Sequence, residues 1–143
     1  MEIGMLGAIG IAGSFGLSSI GAAIGMVVNG PAVIGSWKKC YIQKKPAPFV
    51  LLIFAATCLS NVIYGSIIMN SLYGSSLNEY MLFILGIFSG LCIGVVAITQ
   101  AMCSAAAAEA MAETGQGFGN FLMVVGIAET ISLFAMVFTM LIA

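Results

Sequence analysis

The chain has 143 residues, 62% apolar and 6% charged, with four Lys, five Glu and no Arg, Asp or His. A soluble domain carries roughly 25% charged residues, so the composition excludes a water-soluble globular protein and indicates an integral membrane protein. Four Lys make no basic patch able to compete for phosphates, which excludes nucleic acid as a partner. With no His, the cysteines at 40, 58, 92 and 103 show no metal-ligand spacing. They read as free thiols in packing roles.

A membrane crossing needs about 20 apolar residues, and four stretches qualify: about 4–34, 49–72, 80–108 and 119–142. The first opens with Met1-Glu2, has no basic leader region and exceeds the roughly 7–15 apolar residues of a signal peptide, so it is expected to be a mature helix. It is rich in glycine (Gly4, Gly7, Gly10, Gly13, Gly16, Gly21, Gly25, Gly30). Small residues every three or four positions give a flat stripe for close helix packing. Pro31 reads as a kink, its freed carbonyl satisfied locally.

The loop 37–48 carries all four Lys and two of the three Pro. Basic loops stay in the cytoplasm, which places the 113–119 turn on the same side, and the 73–79 loop and both termini on the other. The second stretch sets Thr57, Ser60, Asn61 and Tyr64 at i, i+3, i+4 and i+7, one helix face. The third repeats the glycine pattern with Gly86, Gly90 and Gly94, then carries Gln100 and the run Ala105 to Ala108. Glu109 and Glu113 follow as solvated charges at the helix end.

The fourth stretch contains one charge, Glu129. A lone carboxyl near the bilayer midplane is costly when ionised and marks a functional position by default. Counting from the inner loops at about 1.5 Å per residue puts Glu129, Gln100 and Asn61 roughly 15–20 Å from that side. Thr57, Ser60, Asn61, Tyr64, Gln100, Glu129 and Thr130 are thus expected to form one polar layer. Glu129 supplies charge, Gln100 and Asn61 amide oxygens, Ser60 a hydroxyl, and the backbone near Thr57 a carbonyl. Tyr64 and Thr130 are positioned to support by hydrogen bonds. Such a layer suits a hard monovalent cation or a proton, and a carboxyl facing hydrocarbon is stable as the neutral acid. Taken singly, buried Ser, Thr, Asn and Gln also serve as interhelical glue.

At an offset of 69 residues Gly21 meets Gly90, Ile24 meets Ile93, Gly25 meets Gly94, Val27 meets Val96, Ala32 meets Ala101 and Phe49 meets Phe118. The expected fold is therefore all-α: four transmembrane helices as two tandem hairpins, 1–72 and 73–143, in a parallel repeat. In the first hairpin Ser60 and Asn61 stand where the second has Glu129 and Thr130.

Two glycine-rich hairpins, a basic first loop, Asn61-Val62-Ile63-Tyr64-Gly65 and Gly126-Ile127-Ala128-Glu129-Thr130 together resemble the V-type ATPase proteolipid, the bacterial K subunit or its eukaryotic c-type counterpart. The resemblance covers nearly the whole chain. It implies a homo-oligomeric ring with the first and third helices inside, carrying one ion per protomer on Glu129. It also implies a stator subunit supplying the Arg this chain lacks, a central stalk docking on loops 37–48 and 109–119, and lipid around the ring. The transported ion is Na+ or H+, with no further cofactor. Gln100, Ser60 and Tyr64 match the sodium-binding pattern of that family and favour Na+. Asn61, one methylene shorter than the usual Gln, departs from it. From the short N-terminus without a leader, a bacterial cell membrane is expected over an organelle, and the resemblance implies that the chain is not an enzyme by itself. A small four-helix multidrug exporter is the alternative, and a pore-forming assembly a third. Both fit less well, because exporters of that type carry their Glu in the first helix.

Overall fold

The computed structural model describes residues 4–143 and is all-helical there. The helices are α1 (Met5–Ile42), α2 (Leu51–Ala56), α3 (Leu59–Tyr73), α4 (Glu79–Thr114) and α5 (Phe118–Ile142). Leu51–Tyr73 counts as one candidate crossing, so among the described residues four helices are long and apolar enough to span a bilayer. The Met1-Glu2 opening lies outside the described residues.

The glycine-bearing helices α1 and α4 run side by side in the same direction, and their backbones touch. Gly10 lies against the backbone of Leu82 and Phe83, and Gly21 against Gly94. A Cβ added at Gly94 would stand 2.6 Å from the Leu17 carbonyl oxygen, closer than any side chain can sit. Lipid tails are as apolar as the helix surfaces, so association rests on this close van der Waals fit. α3 joins through Gly65, which rests on Ser18 and the Ser14 carbonyl of α1.

Both inner helices run past the ends expected from hydropathy. α1 continues through Trp37 to Ile42, and α4 through Glu109 to Thr114. Hydropathy falls there, but no helix breaker intervenes until Pro46 and Gly115. Cys40 is buried against Ala112, whose carbonyl accepts its thiol at 3.9 Å. With 38 and 36 residues, these helices are roughly 57 and 54 Å long at 1.5 Å per residue, well beyond a hydrocarbon core of about 30 Å. Their shared end therefore projects into water. There Lys39 pairs with Glu113 between half-exposed side chains, and the Lys39 hydrogen bond and charge hold the Glu113 carboxyl below its usual range. Trp37 Nε1 donates to the Pro48 carbonyl at 3.0 Å and anchors the connecting loop. The α4–α5 turn closes on Gly115 and Gly117, with φ of 67° and 86°, a left-handed backbone suited to glycine.

The interior is layered. Val33, Cys40, Leu51, Phe54, Ala108 and Met111 pack near the Lys-bearing end, and Ile11, Ile68, Leu72, Leu82 and Ile93 near the other. Between them lies a polar layer beside Ala22, Cys58 and Ala97. All four cysteines are free. Cys40 and Cys58 pack as expected, whereas Cys92 is exposed and has no packing role within the chain.

The second crossing is not one unbroken helix. Its regular hydrogen bonding is interrupted between Ala56 and Leu59, at Thr57 and Cys58. The cause is Asn29 of α1, fully buried. Its Nδ2 donates to the Phe54 and Ala55 carbonyls at 3.0 and 3.2 Å, the acceptors that the next turn would otherwise use, and the Thr57 hydroxyl and Cys58 thiol turn back onto the same two carbonyls at 3.0 and 4.0 Å. A side chain inserted into the i→i−4 ladder is a recognised cause of a kink. Asn29 Oδ1 is left without a partner. Pro31, two residues on, lies within α1 without ending it.

Candidate functional site

α5 turns a narrow stripe inward. Its buried residues, Val125, Ser132 and Thr139, recur every seven positions. Glu129 is three residues before Ser132, on the flank of that stripe, and is half-buried. It is the eleventh residue beyond the start of α5 at Phe118, roughly 16 Å along the axis, which places it at lipid depth. Among the described residues no Lys stands in this layer, so its partners are neutral.

Those partners come from two helices. Tyr64 Oη on α3 donates to Glu129 Oε1 at 2.7 Å. Gln100 Nε2 on α4 reaches Glu129 Oε2 at 3.5 Å, a long and weak contact. Gln100 is fully buried, and its Oε1 accepts Asn61 Nδ2 at 2.6 Å. Asn61, also fully buried, accepts a short hydrogen bond at Oδ1 from Ser132 Oγ. The result is a closed chain of donors, Ser132 to Asn61 to Gln100 to Glu129, with Tyr64 approaching the other carboxylate oxygen.

The structure thus brings Glu129, Gln100, Asn61 and Tyr64 together. It does not bring Thr57, Ser60 and Thr130 to the carboxylate. Thr57 sits in the interruption and pairs with Ser104 Oγ at 2.7 Å. Ser60 Oγ donates to the Thr57 carbonyl at 3.0 Å, so the hydroxyl and that carbonyl face one another in the turn just before Asn61. The expected hydrogen bond from Thr130 is replaced by one to the Ile127 carbonyl at 2.7 Å on the exposed face of α5. Consecutive helical residues point about 100° apart, so Thr130 cannot share the direction of Glu129.

Two further residues belong to the layer: Ser132, which ends the relay, and Ser104, which holds Thr57. The helical spacing carries a signal for both. Ser132 is i+3 from Glu129 and Ser104 is i+4 from Gln100, hence on the same faces. Serine is common as interhelical glue, which hides that signal. The described residues contain no cluster of three or more His, Cys, Asp or Glu suited to a metal ion.

The arrangement can hold one charge at lipid depth and exchange its partner. A carboxylate here is met by two donors. A neutral acid, or a carboxylate with a monovalent cation, requires an acceptor in place of one of them.

Residues 83–142 match the family of the ATP synthase C subunit. The matched segment runs from the second turn of α4 to the end of α5 and contains both Gln100 and Glu129. No curated protein matches the chain.

Proposed function

We propose that the chain is an ion-carrying subunit of the membrane rotor of a V-type rotary ATPase, with Glu129 as the carrier. The observation that carries this reading is the Glu129 carboxylate at lipid depth, bonded by Tyr64 and Gln100 and lacking a cationic partner, inside the segment that matches the ATP synthase C subunit. A permanently useful ion pair would need a Lys or Arg within the layer. A site meant to change its occupant needs neutral, reorientable partners.

Copies of the chain assemble in a ring, α1 and α4 toward its centre and α3 and α5 outward. The exposed apolar side chains of α5, among them Ile127, Phe134 and Phe138, then face lipid. A stator subunit supplies the cation that meets Glu129 during loading and release. The Lys39–Glu113 end and the loop after α1 project far enough to meet a soluble stalk. Each carried charge couples about 2.3 kcal/mol per 100 mV of membrane potential to rotation.

Sodium is the proposed cargo. Glu129 neutralises it, Gln100 and Asn61 offer amide oxygens, and Ser60 with the Thr57 carbonyl offers further oxygens from the interrupted turn. Hard cations take oxygen ligands of this kind. The Asn29 wedge supports the same reading, because it keeps that turn from closing into regular helix.

The test is carbodiimide labelling of the purified protein, mapped by peptide mass, with and without sodium. Carbodiimides modify protonated, lipid-accessible carboxyls. Labelling of Glu129 that sodium suppresses is the expected result. Labelling suppressed only by raising the pH makes the proton the cargo. A Glu129 that resists labelling under every condition overturns the carrier reading.

A further inference from the structure

Each amide oxygen of the site already accepts one hydrogen bond and is turned toward its donor: Gln100 Oε1 accepts from Asn61, and Asn61 Oδ1 accepts from Ser132. In this polarity the relay offers Glu129 only donors. That suits a bare carboxylate and is wrong for a sodium ion or a protonated acid, each of which needs the Gln100 oxygen.

We infer that Ser132 is a positioning residue: it terminates a hydrogen-bond relay whose polarity reverses with the occupant of Glu129. This rests on the proposal that Glu129 carries an ion. An amide has one oxygen end and one nitrogen end, so turning one forces the next to turn. If Gln100 rotates half a turn to present Oε1 to a cation or to a Glu129 O–H, its Nε2 faces Asn61. Asn61 must then present Oδ1 to Gln100 and Nδ2 to Ser132. A hydroxyl is the group that meets either end, donating in one state and accepting in the other. No proton leaves its atom except the one Glu129 gains or loses, and Ser132 only turns its O–H. Ser132, Asn61 and Gln100 are all fully buried, so water cannot complete the relay in place of the hydroxyl, and an unmatched end is costly. The groups facing Glu129 are limited. Tyr64 on α3 is the titratable side chain bonded to it. α4 brings Gln100, with Cys103 one turn on, and α5 has no other charge.

Losing the hydroxyl leaves Asn61 unmatched in both polarities. The carboxylate loses a fixed donor, and sodium and the protonated acid both lose a fixed acceptor; sodium loses more, because fixed oxygens alone hold it whereas the proton keeps its O–H bond. Outer partners of metal ligands typically change affinity about 10–100-fold when removed.

The experiment measures carbodiimide labelling of Glu129 against sodium concentration, and against pH without sodium, in the assembled protein purified from membranes. Wild type is compared with Ser132→Ala, Ser132→Thr, Asn61→Leu and the Ser132→Ala/Asn61→Leu double variant. Ser132→Ala is expected to raise the sodium concentration for half-protection by about tenfold. Ser132→Thr, which keeps the hydroxyl, is expected to restore it toward wild type. The Ser132→Ala shift is expected to vanish in the Asn61→Leu background, because the relay is already cut there. A purely structural role would move stability and leave the protection curves in place. Unshifted curves in Ser132→Ala overturn the inference, as does an equal shift in both backgrounds. If Ser132→Ala fails to accumulate, Ser132→Cys, with its weaker donor, is read for the same shift in smaller measure. The carrier proposal fails separately, in wild type alone, if Glu129 never labels. If only pH protects wild type, the site has no sodium form and the inference is overturned, while the carrier proposal stands.

Discussion

Replacing Asn29 by Asp changes one atom of a fully buried side chain and reverses what it offers α2. The amide donates both Nδ2 hydrogens, to the Phe54 and Ala55 carbonyls at 3.0 and 3.2 Å. An ionised carboxylate would set oxygen against oxygen there, so the folded state takes Asp in its neutral form. Keeping an acid with an ordinary value near 3.9 protonated at pH 7 costs about 4 kcal/mol, at 1.36 kcal/mol per unit. The single remaining O–H satisfies one carbonyl, and the lost hydrogen bond adds about 1 kcal/mol. The total is about 5 kcal/mol at pH 7. Because the folded-state acid titrates higher than the unfolded one, the penalty grows as pH rises above the unfolded value. It should shrink by about 2.7 kcal/mol between pH 7 and pH 5. Asn29→Ala behaves differently. The two carbonyls keep the Thr57 hydroxyl and the Cys58 thiol as partners, α2 and α3 can also close ordinary helical bonds across Thr57 and Cys58, and the loss stays near 1–2 kcal/mol with no pH slope. Unfolding in mixed micelles, followed by helicity against denaturing detergent at pH 5, 6 and 7, separates the two variants. An Asn29→Asp protein as stable as Asn29→Ala at pH 7, with no slope, would refute the wedge.

Three other outcomes follow from the geometry. Tyr64→Phe removes the 2.7 Å donor to Glu129 Oε1; a hydrogen bond to a charged group contributes about 1.5 kcal/mol or more, so the sodium needed for half-protection should rise about tenfold while Glu129 still labels. Gly94→Val forces a side chain onto the Leu17 carbonyl; overpacking of about 1–3 kcal/mol or more at the central α1–α4 contact should show as poor accumulation in membranes, whereas Gly126→Val, with open space around it, should accumulate normally. The Lys39–Glu113 tie is present above the ordinary carboxylate range and is lost as pH falls through the lowered Glu113 value; limited proteolysis of the loop after α1 should therefore quicken in acid, and Lys39→Gln should quicken it at neutral pH and remove the pH dependence.

Much of the layer is legible in the sequence because hydropathy and a lone charge act locally. Four apolar runs each longer than a bilayer is thick fix four crossings, and counting residues along them puts Glu129, Gln100, Asn61 and Tyr64 at one depth. The ends of α1 and α4 are not legible there, since Cys40, Ala112 and the Lys39–Glu113 pair extend the helices by contact with each other rather than by apolar character. Nor is the division among neighbours of equal depth: Thr130 points outward while Ser132, two residues later, ends the relay.

By itself, then, the sequence determined how many helices cross and at what level the charge sits, because both depend on composition along one segment. Only the tertiary structure decided which polar atoms meet. That depends on how each helix is rotated about its axis, and the rotation is set by the glycine contacts of α1 with α4 and by the Asn29 wedge in α2. Both join residues far apart in the chain, so no local pattern announces them.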